Sequence, residues 1–178
     1  MSKVRREAMS YDDYLALPET VRAEYVDGVA VMNPPASWEH NGVAGNLAML
    51  LRRACDGFAV RVGSGVATSP TKFRIPDVAV ARTLPEGLWA TEPPLVVVEV
   101  LSQSTRSEDL FRKSREYFDA GIEQYWVVDR DQPSLTVLGR SDEGWEPLLE
   151  LTGQTPSGEV RVADAGVVAV DLAEVLAD

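Results

Sequence analysis

Leu95-Val96-Val97-Val98-Glu99-Val100-Leu101 reads as a β-strand that is apolar on both faces, because β-branched residues fill it and one acid alone interrupts them. Such a strand belongs in the middle of a sheet covered on each side. Downstream, Ser107 to Ala120 sets Leu110, Phe111, Ser114, Tyr117 and Phe118 along one helical face, and Gly121 follows as a C-terminal stop. Tyr125 to Asp129 is a further apolar strand. Strand, helix and strand in succession make a right-handed parallel crossover, so a mixed central β-sheet flanked by helices is expected.

The flanking segments agree with an α/β domain. Ser10 and Asp13 form a capping-box-like start to a short helix that Pro18 ends. Residues 22–26 and 29–33 read as two strands joined by Asp27-Gly28, a pair that tolerates the positive φ of a tight hairpin turn. Val43, Leu47, Leu50, Leu51 and Ala54 recur at helical spacing between Asn41 and Cys55. Phe58 to Val62, Phe73 to Val80, Leu135 to Arg140 and Trp145 to Leu151 are read as strands, and a weakly patterned stretch after Pro156 leads to Val167–Val170 and a short helix near Leu172–Leu176. Residues 1–9 are read as a disordered N-terminal end and 10–178 as a single domain.

Composition narrows the chemistry. The chain has 178 residues, 45% of them hydrophobic, with 17 basic and 28 acidic residues for a net charge of −11. With one cysteine, Cys55, and one histidine, His40, it has neither an internal disulfide nor the usual His/Cys zinc sets, which fits a reducing cytoplasm. No stretch approaches the ~18–20 apolar residues that span a bilayer, so no membrane association is expected. Gly63-Ser64-Gly65 lacks the third glycine of a dinucleotide loop, and neither a Gly-Lys-Ser/Thr phosphate loop nor a Gly-x-Ser-x-Gly elbow is present.

What remains is a set of carboxylates. Pro76-Asp77 is read inside an apolar strand, and Glu99 lies 22 residues later in the most apolar strand of the chain. A lone carboxylate there would cost several kcal/mol to desolvate, so it needs a partner. Mg²⁺ is one, since it takes one or two carboxylates plus water and phosphate oxygens. Lys113, on the following helix, is a cation that could orient a water or stabilise a phosphorane-like transition state. On spacing alone a surface ion pair with Asp109 is the better reading of Lys113, and its position between Leu110 and Tyr117, bordering the buried face, keeps the catalytic role open.

Taken in order, Pro76-Asp77, Glu99-Val100-Leu101-Ser102 with Ser104-Thr105, Asp109…Lys113…Tyr117 and Gln124-Tyr125-Trp126-Val127-Val128-Asp129 resemble the bacterial Uma-type restriction endonucleases, a branch of the PD-(D/E)XK nuclease superfamily. Tyr14-Leu15-Ala16-Leu17-Pro18, Glu24-Tyr25-Val26-Asp27-Gly28 and His40 also have counterparts there, so the resemblance spans about residues 10–175. It implies a restriction-endonuclease-like fold and Mg²⁺-dependent hydrolysis of DNA phosphodiesters, with Mn²⁺ as a substitute and a homodimer as the form in which such enzymes often act. It assigns metal binding to Asp77, Glu99 and the Val100 carbonyl, catalysis to Asp77, Glu99 and Lys113, and supporting roles to Glu24 and His40. One departure stands out: Leu101 occupies the position of the lysine two residues after the second acid, and the role passes to Lys113.

Two further readings stay open. His40 shares a helical stripe with Val43 and Leu47 and serves as well for a structural histidine as for a functional one. Leu101 also fits a catalytically silent, nuclease-derived binding or assembly module. The acidity does not argue against a nucleic-acid substrate, because residues 119–178 carry 13 acids and 3 bases whereas residues 1–118 carry 15 and 14. Weak, metal-assisted and salt-sensitive DNA binding is therefore expected.

Overall fold

A computed structural model describes residues 4–18, 20–87, 89–102 and 106–177, with Asp109 described in its backbone only. From the N-terminus the elements are β1 (Arg5–Ala8), α1 (Tyr11–Leu15), β2 (Ala23–Val26), β3 (Val29–Met32), α2 (Trp38–Ala54), β4 (Ala59–Val62) and β5 (Gly65–Ser69). There follow β6 (Lys72–Arg74), β7 (Val78–Ala81), β8 (Trp89–Ala90), β9 (Val96–Val100), a π-helical segment (Glu108–Lys113) and α3 (Ser114–Asp119). The chain ends in β10 (Gln124–Asp129), β11 (Ser134–Arg140), β12 (Trp145–Thr152), β13 (Ser157–Val162), β14 (Gly166–Asp171) and α4 (Leu172–Val175).

These strands form two six-stranded sheets, ordered β1-β3-β2-β6-β5-β8 and β12-β11-β10-β9-β7-β4, and a separate β13-β14 hairpin. The second sheet contains the expected crossover: β9 and β10 run parallel, Glu99 opposite Val127, with the π-helical segment and α3 between them. β9 is buried along its whole length. Its Val96, Val98 and Val100 pack with Val43, Leu47 and Leu51 of α2 and with Val160 and Val168 of the terminal hairpin. Val97 and Leu101 face the opposite side, against Tyr117, Tyr125 and Val127. α1 covers the first sheet through Tyr14, which packs with Tyr25 and Phe73. The Asp27-Gly28 turn has the expected positive φ, 49° and 86°. Among the described residues no helix is long and apolar enough to cross a membrane.

Several expectations are corrected. Phe73 to Val80 is not one strand: β6 belongs to the first sheet and β7 to the second, and Ile75-Pro76-Asp77 is the passage between them. Pro76 explains the break, since it has no N–H to donate to a ladder. Asp77 therefore lies where the chain changes sheets, not inside a strand. The N-terminal end read as disordered supplies β1, whose residues Arg5 to Ala8 pair with Met32 to Val29; residues 1–3 lie outside the described residues, as do Ser104 and Thr105. β5, β8 and β13, none of them anticipated, complete the first sheet and the terminal hairpin.

Candidate active site

Five segments of the chain bring the predicted residues to one cleft of about 690 Å³, lined by Glu24, His40, Asp77, Glu99, Val100 and Lys113 among others. Glu24 comes from β2, Asp77 from the inter-sheet passage, Glu99 from β9 and Lys113 from the last position of the π-helical segment. Glu24 and Glu99 are each 3% exposed and Lys113 is 4% exposed. The Lys113 Nζ lies 3.1 Å from Glu24 Oε1 and 3.0 Å from Glu99 Oε1. Lys113 is thus buried between two acids. The alternative pairing with Asp109 concerns a side chain outside the described residues.

Lys113 stands four residues before the buried Tyr117 and shares its face, whereas the π-helical turn that precedes it leaves Phe111, read as part of the apolar stripe, 74% exposed and Leu110 36% exposed. Tyr117, in α3, donates its hydroxyl to Glu99 Oε1 at 2.6 Å. Its burial, reinforced by Glu99 and Glu24, pushes the phenol pKa well up, so it remains a neutral donor.

Asp77 occupies a shallower corner. Its Oδ1 lies 3.0 Å from His40 Nε2 and its Oδ2 accepts the Val100 N–H at 2.8 Å. The Asp77 backbone is fixed on both sides, donating to Val98 O and accepting from Gly63 N, each at 3.0 Å. His40 sits in the first turn of α2, whose N-cap Ser37 accepts the His40 N–H.

Sequence reasoning missed the centre of the network, Arg74. It is fully buried and reaches three carboxylates: Nη1 to Glu24 at 2.9 Å, Nη2 to Glu108 at 3.0 Å and Nε to Glu116 at 2.6 Å. Burial disfavours its charge, but the bond to Glu116 and the fields of Glu24 and Glu116 outweigh that and hold the pKa above the usual guanidinium value. At Glu24, burial likewise pushes the carboxyl up, and Lys113, Arg74 and the Ile75 N–H overcome it and hold the group below its ordinary 4.5. A charge flanked by Phe73 and Ile75 was the available signal, the same kind that singled out Glu99.

Among the described residues no three His, Cys, Asp or Glu side chains gather as a metal cage. The donor set in the cleft, two carboxylates and a backbone carbonyl, fits a hard cation that keeps most of its water, as Mg²⁺ does, and does not fit a closed site of soft ligands.

A mixed sheet with a parallel β9–β10 crossover, an acid on its interior strand β9, a second acid at the inter-sheet passage and a lysine from the crossover helix define a restriction-endonuclease-like fold. Residues 11–166 match the family described as Uma2: Putative restriction endonuclease, and the chain belongs to that family. Among solved structures it is similar to a crystal structure of a putative nuclease belonging to DUF820 from Anabaena variabilis ATCC 29413, with a TM-score of 0.74 and 16% sequence identity over 93% of this chain and 96% of that one. No curated protein matches the chain in sequence.

Proposed function

We propose that this protein is an endonuclease that hydrolyses DNA phosphodiester bonds with a divalent cation, Mg²⁺ or in its place Mn²⁺, using Asp77, Glu99 and Lys113. The observation that carries this reading is the Lys113 ammonium 3.0 Å from Glu99, in the cleft that also holds Asp77. Leu101, where the superfamily's lysine would stand, is a packed apolar residue, and Lys113 brings the missing charge from the helix instead.

Asp77, Glu99 and the Val100 carbonyl would hold the cation, which supplies Lewis-acid stabilisation of the phosphate charge. Lys113, its charge partly offset by Glu24 and Glu99, would set an ammonium group where negative charge grows on the phosphate oxygens. Tyr117 orients the Glu99 carboxylate, and Arg74 orients Glu24, which holds Lys113 from the other side. His40 fixes the Asp77 rotamer.

The test is cleavage of plasmid and oligonucleotide DNA with Mg²⁺, with Mn²⁺ and with EDTA. Asp77→Asn, Glu99→Gln and Lys113→Met are each expected to lower the rate at least ~100-fold while the chain still folds. Intact DNA under all divalent conditions, together with no divalent binding by calorimetry, would refute the proposal. A second reading, a silent binding module, draws on the saturation of Glu99 Oε1 by Lys113 and Tyr117. It requires Glu99→Gln to leave every divalent-dependent property unchanged.

A further inference from the structure

The reacting groups lie deep and the space above them is small, which bears on what form of DNA can enter. This inference rests on the nuclease reading and deepens it. A cleft of about 690 Å³ has the capacity of a drug-sized ligand, the bulk of a mononucleotide or dinucleotide. Glu24 and Glu99, at 3% exposure, stand at its floor. A duplex is a stiff, paired rod whose phosphates cannot leave their neighbours without unstacking. An unpaired strand can feed a phosphate into such a cleft.

The rim carries the features that unpaired strands need. Trp38 opens α2 between Ser37 and His40, both of which line the cleft, and its indole is 93% exposed, the most exposed of the large apolar side chains described. No described ring stacks on it, whereas the partly buried tryptophans Trp89 and Trp145 each meet aromatic partners. Arg22 and Arg130 also line the cleft, and neither is ion-paired to a carboxylate among the described residues. Two guanidinium groups on the cleft wall, with Arg130 reaching the Oγ of Ser37, the sequence neighbour of the exposed Trp38, at 3.5 Å, offer phosphate contacts and a stacking surface, the pattern by which single strands are held without sequence readout. The excess of acids in residues 119–178 opposes a long duplex laid along the molecule but does not hinder a short strand entering the cleft.

We infer that the substrate is unpaired DNA, held with a base stacked on Trp38 and with its phosphates against Arg130 and Arg22. The experiment measures fluorescence anisotropy of labelled oligothymidylate and of a hairpin duplex of the same length, in EDTA so that no chemistry intervenes. The unpaired strand is expected to bind at least ~10-fold more tightly than the hairpin. Trp38→Ala should weaken strand binding by about 5- to 100-fold with the hairpin affinity unchanged. Arg22→Ala and Arg130→Ala should each weaken strand binding and flatten its salt dependence by about one phosphate. All three side chains lie outside the buried network, and a thermal unfolding scan verifies that each variant is folded. Equal affinity for hairpin and strand, or strand binding untouched by Trp38→Ala, would overturn the inference. The two proposals fail separately: strand binding with these properties but no cleavage removes the nuclease and keeps the substrate preference, while Mg²⁺-dependent cleavage of duplex that ignores Trp38 does the reverse.

Discussion

The two faces of the second sheet divide the work of the molecule. On one face Val96, Val98 and Val100 of β9 meet α2, the β13-β14 hairpin and α4 in a core built of apolar side chains. On the other, the alternate positions Val97, Glu99 and Leu101 meet the crossover helix, and Glu99 finds Lys113 and Tyr117 there. The same strand thus anchors the fold through one parity of residues and positions a charge through the other. A carboxylate at that depth is tolerated only because a cation and a hydroxyl meet it, and those partners come from a helix that β9 and β10 themselves hold in place.

The largest effect should come from the charged side. Arg74→Met leaves Glu24, Glu108 and Glu116 facing one another without their shared cation, and a stability loss of about 3–5 kcal/mol is expected in urea unfolding near neutral pH. The pH dependence sharpens the assignment. Because the folded Glu24 carboxyl is held below 4.5, its contribution is complete above that value and is lost as pH falls through the folded value. Arg74→Met removes one of the two cations responsible, so its acid-side loss should be shallower than that of the wild type. Parallel profiles for the two proteins would place the dependence on other carboxylates.

Leu47→Ala probes the apolar face. Leu47 is fully buried against that core, so the substitution should cost about 2–5 kcal/mol, depending on how far the cavity collapses. The comparison predicts that the folded variant keeps its divalent and DNA binding, measured by calorimetry and anisotropy. A weakened affinity would show that the faces are coupled through β9 and break the division.

How much of this was legible in the sequence follows the same division. The apolar strand, the crossover and the Asp27-Gly28 hairpin were readable because each rests on local pattern or turn chemistry. The split of Phe73 to Val80 between two sheets was not, although Pro76 stood in the middle of it, because an apolar run looks the same whether one sheet or two receives it. β13 was missed because Ser157-Gly158-Glu159 dilutes its alternation. At the site, Asp77, Glu99, Glu24 and His40 were named by motif order and do line one cleft; periodicity put Lys113 at the border of the buried face, but no local pattern shows that Glu24 and Glu99 meet it there. Arg74 stayed hidden because its three acids are 34 to 50 residues away, and only the packing of the first sheet on the crossover helix brings them together.

The smallest expected effect tests how the charged side reaches the solvent. Gly63 has φ +58°, and a Cβ there would fall 2.5 Å from Arg22 Nη2. Gly63→Ala should therefore cost about 1–2 kcal/mol for the left-handed backbone. The clash itself is cheap to relieve, since it involves the far end of a flexible side chain, but relief means moving Arg22 from its seat in the cleft wall. Affinity for unpaired DNA should fall as it does in Arg22→Ala, which leaves the backbone at 63 untouched and should unfold like the wild type. Measured together by anisotropy and thermal unfolding, the pair separates backbone strain from guanidinium placement. If Gly63→Ala loses stability yet binds the strand as tightly as the wild type, Arg22 takes no part in holding it, and the grip on the phosphates falls to Arg130 alone.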